Sequence, residues 1–259
     1  MSNTNILQNL LLKWHVTNGV TFSFSNTSLR NFYPKDKEFK NRVDTSEQID
    51  VKVFKNNDEN IKKQIKIEAK SIDELILELK KFEGCALKRT AKNLVFSDGN
   101  KDSKVMVIGE APGEDEDRIG KPFVGKAGQL LDKMLNAIGQ DRNNTYISNL
   151  IFWRPPGNRN PNEEEINACL PFVYKHLEII KPKILILAGA ISSKIILDRK
   201  DFGITQLRGQ WYDVYLKEIN HKIKAMPIYH PAFLMRQPIR KREAWEDLKN
   251  IEKEIKKIT

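Results

Sequence analysis

The residues best suited to chemistry lie in three loops, and the first loop is rich in acids and glycines. It runs from Gly109 to Gly128 and contains the run GEAPGEDED. Such a loop leads into a helix whose first backbone amides suit an anion, but it lacks the G-K-[ST] signature and its acids would repel phosphate. Glu110 and Glu116 are therefore interpreted as bases or as groups that position water. The alternative is a solvated acidic loop that only caps the helix.

The second loop, Ser148 to Arg159, combines an amide with two arginines. Asn149 stands near the carboxyl end of an apolar run, where a buried side-chain amide must find partners. Such an amide matches the edge of a pyrimidine with both a donor and an acceptor. Arg154 and Arg159 stand among prolines and a glycine, which predicts rigidly presented contacts to phosphate. Ordinary surface charge is the alternative for both arginines.

The third loop, Tyr229 to Pro238, begins with His230 and a proline directly after an apolar run. A histidine at the end of a strand in such a loop is a candidate for function rather than for packing. Three bulky apolar residues and Arg236 follow. This run either belongs to the core or fills a duplex after a base has left it, in which case Leu234 and Met235 form the wedge.

The segments that position these loops alternate in type. Apolar runs over 104–109, 145–152, 183–188 and 223–229 predict strands, and periodic apolar residues over 127–138, 162–180, 190–197 and 241–258 predict helices. A capping pattern at Ser71 and Glu74 predicts a further helix. Nearly all-apolar strands between helices predict a parallel sheet that is covered on both faces. Ligands bind such sheets beyond the carboxyl ends of the strands, where all three loops lie.

The composition is compatible with a nucleic-acid partner. The chain has 259 residues, a formal net charge of +10 and a pI near 9.4, and a basic protein gains affinity for phosphate-rich partners. Lys, Asn and Ile are abundant throughout, which weakens this signal because AT-rich codons would produce the same bias. Two cysteines are too few for a disulfide framework or a complete thiolate metal site.

The two parts of the chain differ in pattern. Residues 1–70 are predicted to be an N-terminal extension without assigned chemistry, with a helix candidate at 6–16, an alternating piece at 21–24 and a linker or solvated helix at 54–66. Residues 71–259 carry the α/β domain. Neither a membrane span nor a secretory signal is recognisable, which predicts a cytoplasmic protein.

Four ordered segments resemble the uracil-DNA glycosylase superfamily, and specifically its family 4. They are GEAPGEDED with GKPFVGKAGQLL, then SNLIFWRPPGNRNPNEEE, then ITQLRGQW, and finally YHPAFLMRQP. The resemblance implies a three-layer αβα sandwich with a four-stranded parallel sheet. It also implies a hydrolase of base excision repair that flips uracil out of DNA, hydrolyses the N-glycosidic bond and leaves an abasic site.

The resemblance further implies a role for each site residue. Three residues would line the loop that holds water and uracil: Glu110, Ala111 and Glu116. Phe123 would stack on the flipped base, Asn149 would read its N3 and O4 edge, and His230 would donate to O2 as negative charge develops there. The segment 231–236 would enter the minor groove.

One departure from the family concerns its metal. Typical family 4 members hold a 4Fe-4S cluster with four cysteines. In this chain only Cys85 and Cys169 occupy ligand positions, while Phe82 and Trp153 stand at the other two. Because two thiolates do not hold a cubane that normally takes four, we expect a protein without a metal or other cofactor, in which aromatic rings fill the space.

Three other functions are weighed against uracil excision. A glycosylase for other deaminated bases, such as hypoxanthine or xanthine, needs a wider pocket, and Asn149 favours uracil. A non-catalytic binder of abasic or damaged DNA would use the same wedge and arginines, but it would not need the acids and His230. A nucleotide-binding α/β protein unrelated to DNA leaves the apolar run before Arg236 unexplained. The expected partner is uracil-containing DNA, as a U·G mismatch or a single strand, bound by a nucleoid-associated monomer.

Overall fold

The computed structural model describes residues 48–49, 67–216 and 219–258. The elements predicted at 6–16, 21–24 and 54–66 lie outside these residues. Of the extension predicted over 1–70, residues 48–49 and 67–70 are described. Among the described helices, none combines the length and the apolar character that crossing a membrane requires.

A mixed sheet of seven strands runs through the described part of the chain. In chain order the strands are β1 (Gln48–Ile49), β2 (Ser97–Gly99), β3 (Val105–Gly109), β4 (Tyr146–Asn149), β5 (Ile184–Ala188), β6 (Tyr212–Leu216) and β7 (His221–Ile228). Their order across the sheet is β1-β6-β7-β5-β3-β4-β2.

The four predicted strands form the inner part of the sheet. β7, β5, β3 and β4 pair in parallel, with Val107 opposite both Ile147 and Ile186. Every residue of β3, β4 and β5 is buried, as expected for parallel strands that are covered on both faces. The predicted α/β class and its parallel core are confirmed.

The three strands at the edges are not predicted from the sequence. β2 pairs antiparallel with β4, β6 pairs antiparallel with β7, and β1 pairs parallel with β6. β2 consists of Ser, Asp and Gly, and β6 alternates between buried and half-buried residues. A search for continuous apolar runs misses such strands, because β2 has no apolar side chain and β6 buries only every second residue.

Eight α-helices accompany the sheet in the described residues. They are α1 (Ile72–Lys81), α2 (Glu114–Ile119), α3 (Lys126–Asn136), α4 (Glu163–Ile180), α5 (Ala190–Ile196), α6 (Ile204–Leu207), α7 (Pro231–Arg236) and α8 (Lys241–Ile258). The predictions of α1, α3, α4, α5 and α8 are confirmed. The side chain of Ser71 caps α1 by accepting from the Glu74 amide, and Asn162 caps α4 in the same way through Glu165.

Candidate active site

Two glycines bring the side chains of the three loops together at the carboxyl ends of the strands. Gly109, at the end of β3, pairs in register with Asn149 at the end of β4. A Cβ at Gly109 would overlap both the Asn149 Oδ1 and the ring of Phe123. Gly189 follows β5 with a φ of +107°, and a Cβ there would lie 3.1 Å from the Cβ of His230. The side chains of Asn149, Phe123 and His230 therefore meet at the carboxyl-terminal ends of the inner strands.

The ring of Phe123 lies beside the imidazole of His230. Their centroids are 5.7 Å apart and their planes differ by 30°. Phe123 is buried, and its backbone has the unusual φ of +54°. An aromatic ring next to an amide and an imidazole suits a planar ligand that also forms hydrogen bonds, which is the description of a nucleobase.

His230 is held as a neutral hydrogen-bond donor. It is the N-cap of α7, and its Nδ1 accepts a hydrogen bond from the backbone N–H of Ala232 at 3.2 Å. Burial, with a contribution from the charge of Arg236, lowers the pKa of the imidazole to about 4. The ring is therefore neutral at pH 7, and because Nδ1 accepts, its proton lies on Nε2.

The amide of Asn149 is available to a ligand. The residue is 2% exposed. Its side-chain amide forms no hydrogen bond with any residue that the structure describes. Because no described residue occupies its donor and acceptor, the amide can offer both to a bound molecule.

Two residues at the start of the first loop, Glu110 and Ala111, stand directly after β3. Burial raises the pKa of the Glu110 carboxyl above its ordinary value of 4.5. No donor from the described residues pairs with this carboxylate. Ala111 is half-buried and packs against the main hydrophobic cluster. The structure therefore places a half-buried, unpaired carboxylate at the edge of the sheet where the three loops meet.

Glu116 lies in the same loop but holds backbone amides. Its Oε1 accepts from the N–H groups of Val124 and Gly125 at 2.9 and 2.8 Å, and its Oε2 accepts from Gly113 at 3.1 Å. The carboxylate thus ties the start of α2 to the turn that begins α3. Glu116 is predicted from the sequence to act as a base or to position water, whereas its contacts in the structure stabilise the loop.

The two arginines of the second loop already bind groups within the protein. Arg159 forms a bidentate pair with Glu165, a buried residue, at 2.9 and 2.5 Å. Arg154 donates from Nε to Asn158 Oδ1 at 2.8 Å, and its Nη2 lies 3.7 Å from an oxygen of Glu114. Arg154 therefore retains donors for a phosphate, whereas the guanidinium of Arg159 secures the loop to α4.

The third loop reverses the expected order of its apolar residues. Leu234 is completely buried, whereas Met235 is 44% exposed and Arg236 is exposed as well. The reason is that residues 231–236 form a helix, which turns Leu234 toward the core. This finding corrects the assignment of Leu234 as a wedge, and Met235 is the side chain that remains available to a duplex.

A network behind His230 has no counterpart in the sequence-based prediction. Arg208 forms an ion pair with Asp247, which is fully buried, and its guanidinium lies 5.2 Å from the centre of the Tyr229 ring. The Tyr229 hydroxyl donates to Glu243 Oε2 at 2.8 Å. Because Tyr229 directly precedes His230, this network anchors the backbone that carries the imidazole. Arg208 lies in the segment ITQLRGQW, which resembles the family, but the sequence alone predicts no role for this arginine.

The two cysteines meet in the core. Cys85 Sγ and Cys169 Sγ are 4.0 Å apart and both residues are buried. Their contact lowers the pKa of Cys85 to about 7, and the same contact together with burial raises the pKa of Cys169. The ring of Phe82 packs 5.0 Å from that of Phe172, and Trp153 is buried in the same hydrophobic cluster. In the described ranges, no group of three or more His, Cys, Asp or Glu side chains has a geometry that could hold a metal ion.

Known proteins resemble this chain over most of their own length. The sequence model of the uracil DNA glycosylase superfamily matches residues 96–249. A type-4 uracil-DNA glycosylase of Archaeoglobus fulgidus is 36% identical over 70% of this chain and 92% of its own. Enzymes of the same name from Thermotoga maritima and Sulfurisphaera tokodaii are 38% and 40% identical, over 92% and 81% of their own lengths.

These relatives overturn the expectation of a protein without a cofactor. They are type-4 uracil-DNA glycosylases, the family whose typical members hold a 4Fe-4S cluster, so the family implies this group. The described residues supply two thiols, from Cys85 and Cys169, where such a cluster takes four ligands. They do not form that four-thiolate set.

The matched segment contains the whole converging site. Residues 96–249 include Glu110, Phe123, Asn149 and His230, together with the arginines of the second and third loops. The α/β architecture, the order of the loops along the chain and the extent of the sequence similarity all indicate the same family. The chain belongs to the uracil-DNA glycosylase superfamily and, within it, to the type-4 family.

Proposed function

We propose that this protein excises uracil from DNA, and that the neutral N–H donor of His230 beside the unpaired amide of Asn149 is the observation that carries this function. A uracil-DNA glycosylase is a DNA-repair hydrolase that cleaves an N-glycosyl bond. The departing uracil becomes an anion while the deoxyribose becomes cation-like. The site must therefore offer hydrogen bonds to the base and negative charge near the sugar.

The base is recognised by Asn149 and Phe123. The amide of Asn149 accepts from uracil N3–H and donates to O4, so the base uses both the acceptor and the donor of this side chain. The ring of Phe123 stacks on the flat face of the flipped base. Both contacts form only after the nucleotide has left the duplex, so they favour the flipped state.

His230 stabilises the leaving group. Its Nε2–H donates to uracil O2 as negative charge develops on that oxygen. Because the imidazole is neutral and its Nδ1 is fixed by the Ala232 amide, the donor is already oriented before reaction. Loss of one preorganised donor of this kind costs a rate factor of about 10² to 10³.

Of Glu110 and Glu116, Glu110 is better placed to contact the sugar and the attacking water. Its carboxyl group is half-buried and has no hydrogen-bond donor among the described residues, and burial raises its pKa above the ordinary value. It orients the attacking water and favours the cation-like sugar. Glu116 acts through the backbone of the same loop, because three amides occupy its oxygens.

The contacts to DNA come from the rim of the site. Met235 and Arg236 are exposed on α7 next to His230, where Met235 fills the space of the flipped nucleotide and Arg236 binds the backbone. Arg154 supplies a second phosphate contact, and Arg159 contributes less because Glu165 holds it. The protein is proposed to act as a monomer at the nucleoid in the cytoplasm.

The substrate range tests the proposal. Flipping costs least in a single strand or a mismatch, so uracil in single strands and in U·G pairs should be released fastest. The purified full chain is mixed in excess with oligonucleotides that contain uracil, thymine or hypoxanthine, and the free base is quantified. Uracil release with little or no thymine or hypoxanthine release is expected. Tight binding to abasic DNA without release of any base would identify a non-catalytic binder, and faster release of hypoxanthine would identify a different glycosylase.

A further inference from the structure

The backbone of Phe123 adopts a conformation that an aromatic residue rarely takes. Its φ is +54°, in the left-handed region. Non-glycine residues seldom occupy this region, and they persist there only when their surroundings hold them. This conformation accompanies the turn of the ring toward Gly109, Asn149 and His230. The contacts that maintain it therefore control the position of the ring.

Arg142 supplies those contacts from the turn that precedes β4. Its Nη1 donates to the carbonyl of Pro122 at 3.2 Å, and its Nη2 donates to the carbonyl of Phe123. Two adjacent peptide carbonyls on one side of the Phe123 backbone are thus held by one guanidinium. In the first turn of α3, Gly128 packs so closely against the same turn that a Cβ there would overlap the Phe123 carbonyl.

The guanidinium itself is fixed by two carboxylates. Arg142 Nη1 lies 2.7 Å from Asp98 Oδ2, and Arg142 Nε lies 3.0 Å from Asp132 Oδ1. Burial alone would raise the pKa of Asp98, but hydrogen bonds from Arg142 and Lys121 hold it below its ordinary value. Arg142 thereby joins β2, α3 and the Phe123 turn. A planar group with five donors can make this set of bonds, whereas a lysine ammonium cannot.

We propose that Arg142 is a positioning residue, which holds the Phe123 backbone so that its ring is preset to stack on the flipped base. The proposal rests on the function proposed above, since it assigns the ring to uracil. Arg142 itself touches no substrate. Its effect on the reaction passes through Phe123, and this dependence separates a positioning role from a general contribution to stability.

A double-mutant cycle tests this dependence. Single-turnover uracil release is measured for the full-length wild type, Arg142→Gln, Phe123→Ala and the double variant. We expect Arg142→Gln to slow release about tenfold in the wild-type background, because misplaced groups near the reacting atoms cost rate. In the Phe123→Ala background the same change should have little further effect, since the ring that Arg142 positions is gone.

Two controls keep the result interpretable. Arg142→Lys retains the charge and can pair with Asp98 or Asp132, so it should fold even if Arg142→Gln does not, and it should show an intermediate loss with the same dependence on Phe123. Arg199→Gln removes an equal charge from a half-buried arginine that packs over Phe202, and it should release uracil at the wild-type rate. Affinity for undamaged duplex should be equal in the Arg142 and Arg199 variants.

The outcomes separate the two proposals. Equal fold losses from Arg142 substitution in both backgrounds, or an unchanged rate in Arg142→Gln and Arg142→Lys, would overturn the positioning role while uracil excision stands. A wild-type protein that releases no uracil would overturn the proposed function and the positioning role together. A loss of rate on Arg142 substitution that disappears in the Phe123→Ala background supports both the positioning role and uracil excision.

Discussion

At the scale of single residues, burial shifts the pKa values of His230 and Glu110. It lowers the pKa of His230 to about 4 and raises the pKa of Glu110. In each case removal from water disfavours the charged form, so the base and the acid shift in opposite directions. At neutral pH the imidazole of His230 is therefore a neutral donor, as an anionic leaving base requires, and the pKa of Glu110 lies above its ordinary value.

These shifts predict a pH profile for uracil release. The rate should fall as the pH is lowered, first as Glu110, whose pKa is raised, takes up a proton and then as His230 does at about pH 4. In Glu110→Gln the slower reaction should retain only the lower limb. Single-turnover rates, with folding checked by circular dichroism at each pH, measure this. A limb near 6.5 that disappears in His230→Gln would show that the imidazole titrates normally and would contradict its burial.

At the scale of elements, the sequence predicts what burial determines and misses what long-range polar contacts determine. β3 and β5 are apolar runs, and β4 and the second half of β7 are buried as well, so the ends of these strands are found from pattern alone. Asn149 ends β4, and His230 follows shortly after β7. Arg142 and Arg208 bind carbonyl and carboxylate groups that are distant in the chain, and the spacing of residues in the sequence does not indicate such partners. The exposure of Met235 over Leu234 depends on a six-residue helix that has too few residues to show a period.

The elements that carry the arginines predict their effects on DNA binding. Arg236 is exposed in the last turn of α7, whereas Arg159 is paired with Glu165 at the start of α4. Arg236→Gln should lower the salt dependence of duplex binding by about one unit, the value for one lost phosphate contact. Arg159→Gln should change this slope little and reduce stability instead. Fluorescence anisotropy over a series of salt concentrations measures both slopes, and a unit loss in Arg159→Gln alone would reverse the assignment.

At the scale of the whole molecule, one sheet serves both packing and chemistry. The buried inner strands place the three loops at a common edge, and the formal net charge of +10 favours approach to a phosphate-rich partner. The glycines at the ends of β3 and β5 let the loops approach closely enough for their side chains to meet. The site is therefore a product of strand order rather than of any one motif.

The most direct test of His230 and Asn149 as the groups that release uracil is its single-turnover release from a U·G duplex by the full chain and three variants. The matched control is His221→Ala, because His221 lies at the opposite end of β7 and contacts the Pro182 carbonyl. We expect His230→Ala to lose a factor of about 10² to 10³ and Asn149→Ala at least about tenfold, while His221→Ala keeps the wild-type rate. All three should retain the wild-type circular dichroism spectrum. A folded His230→Ala protein that releases uracil at the wild-type rate would contradict the role of the neutral imidazole.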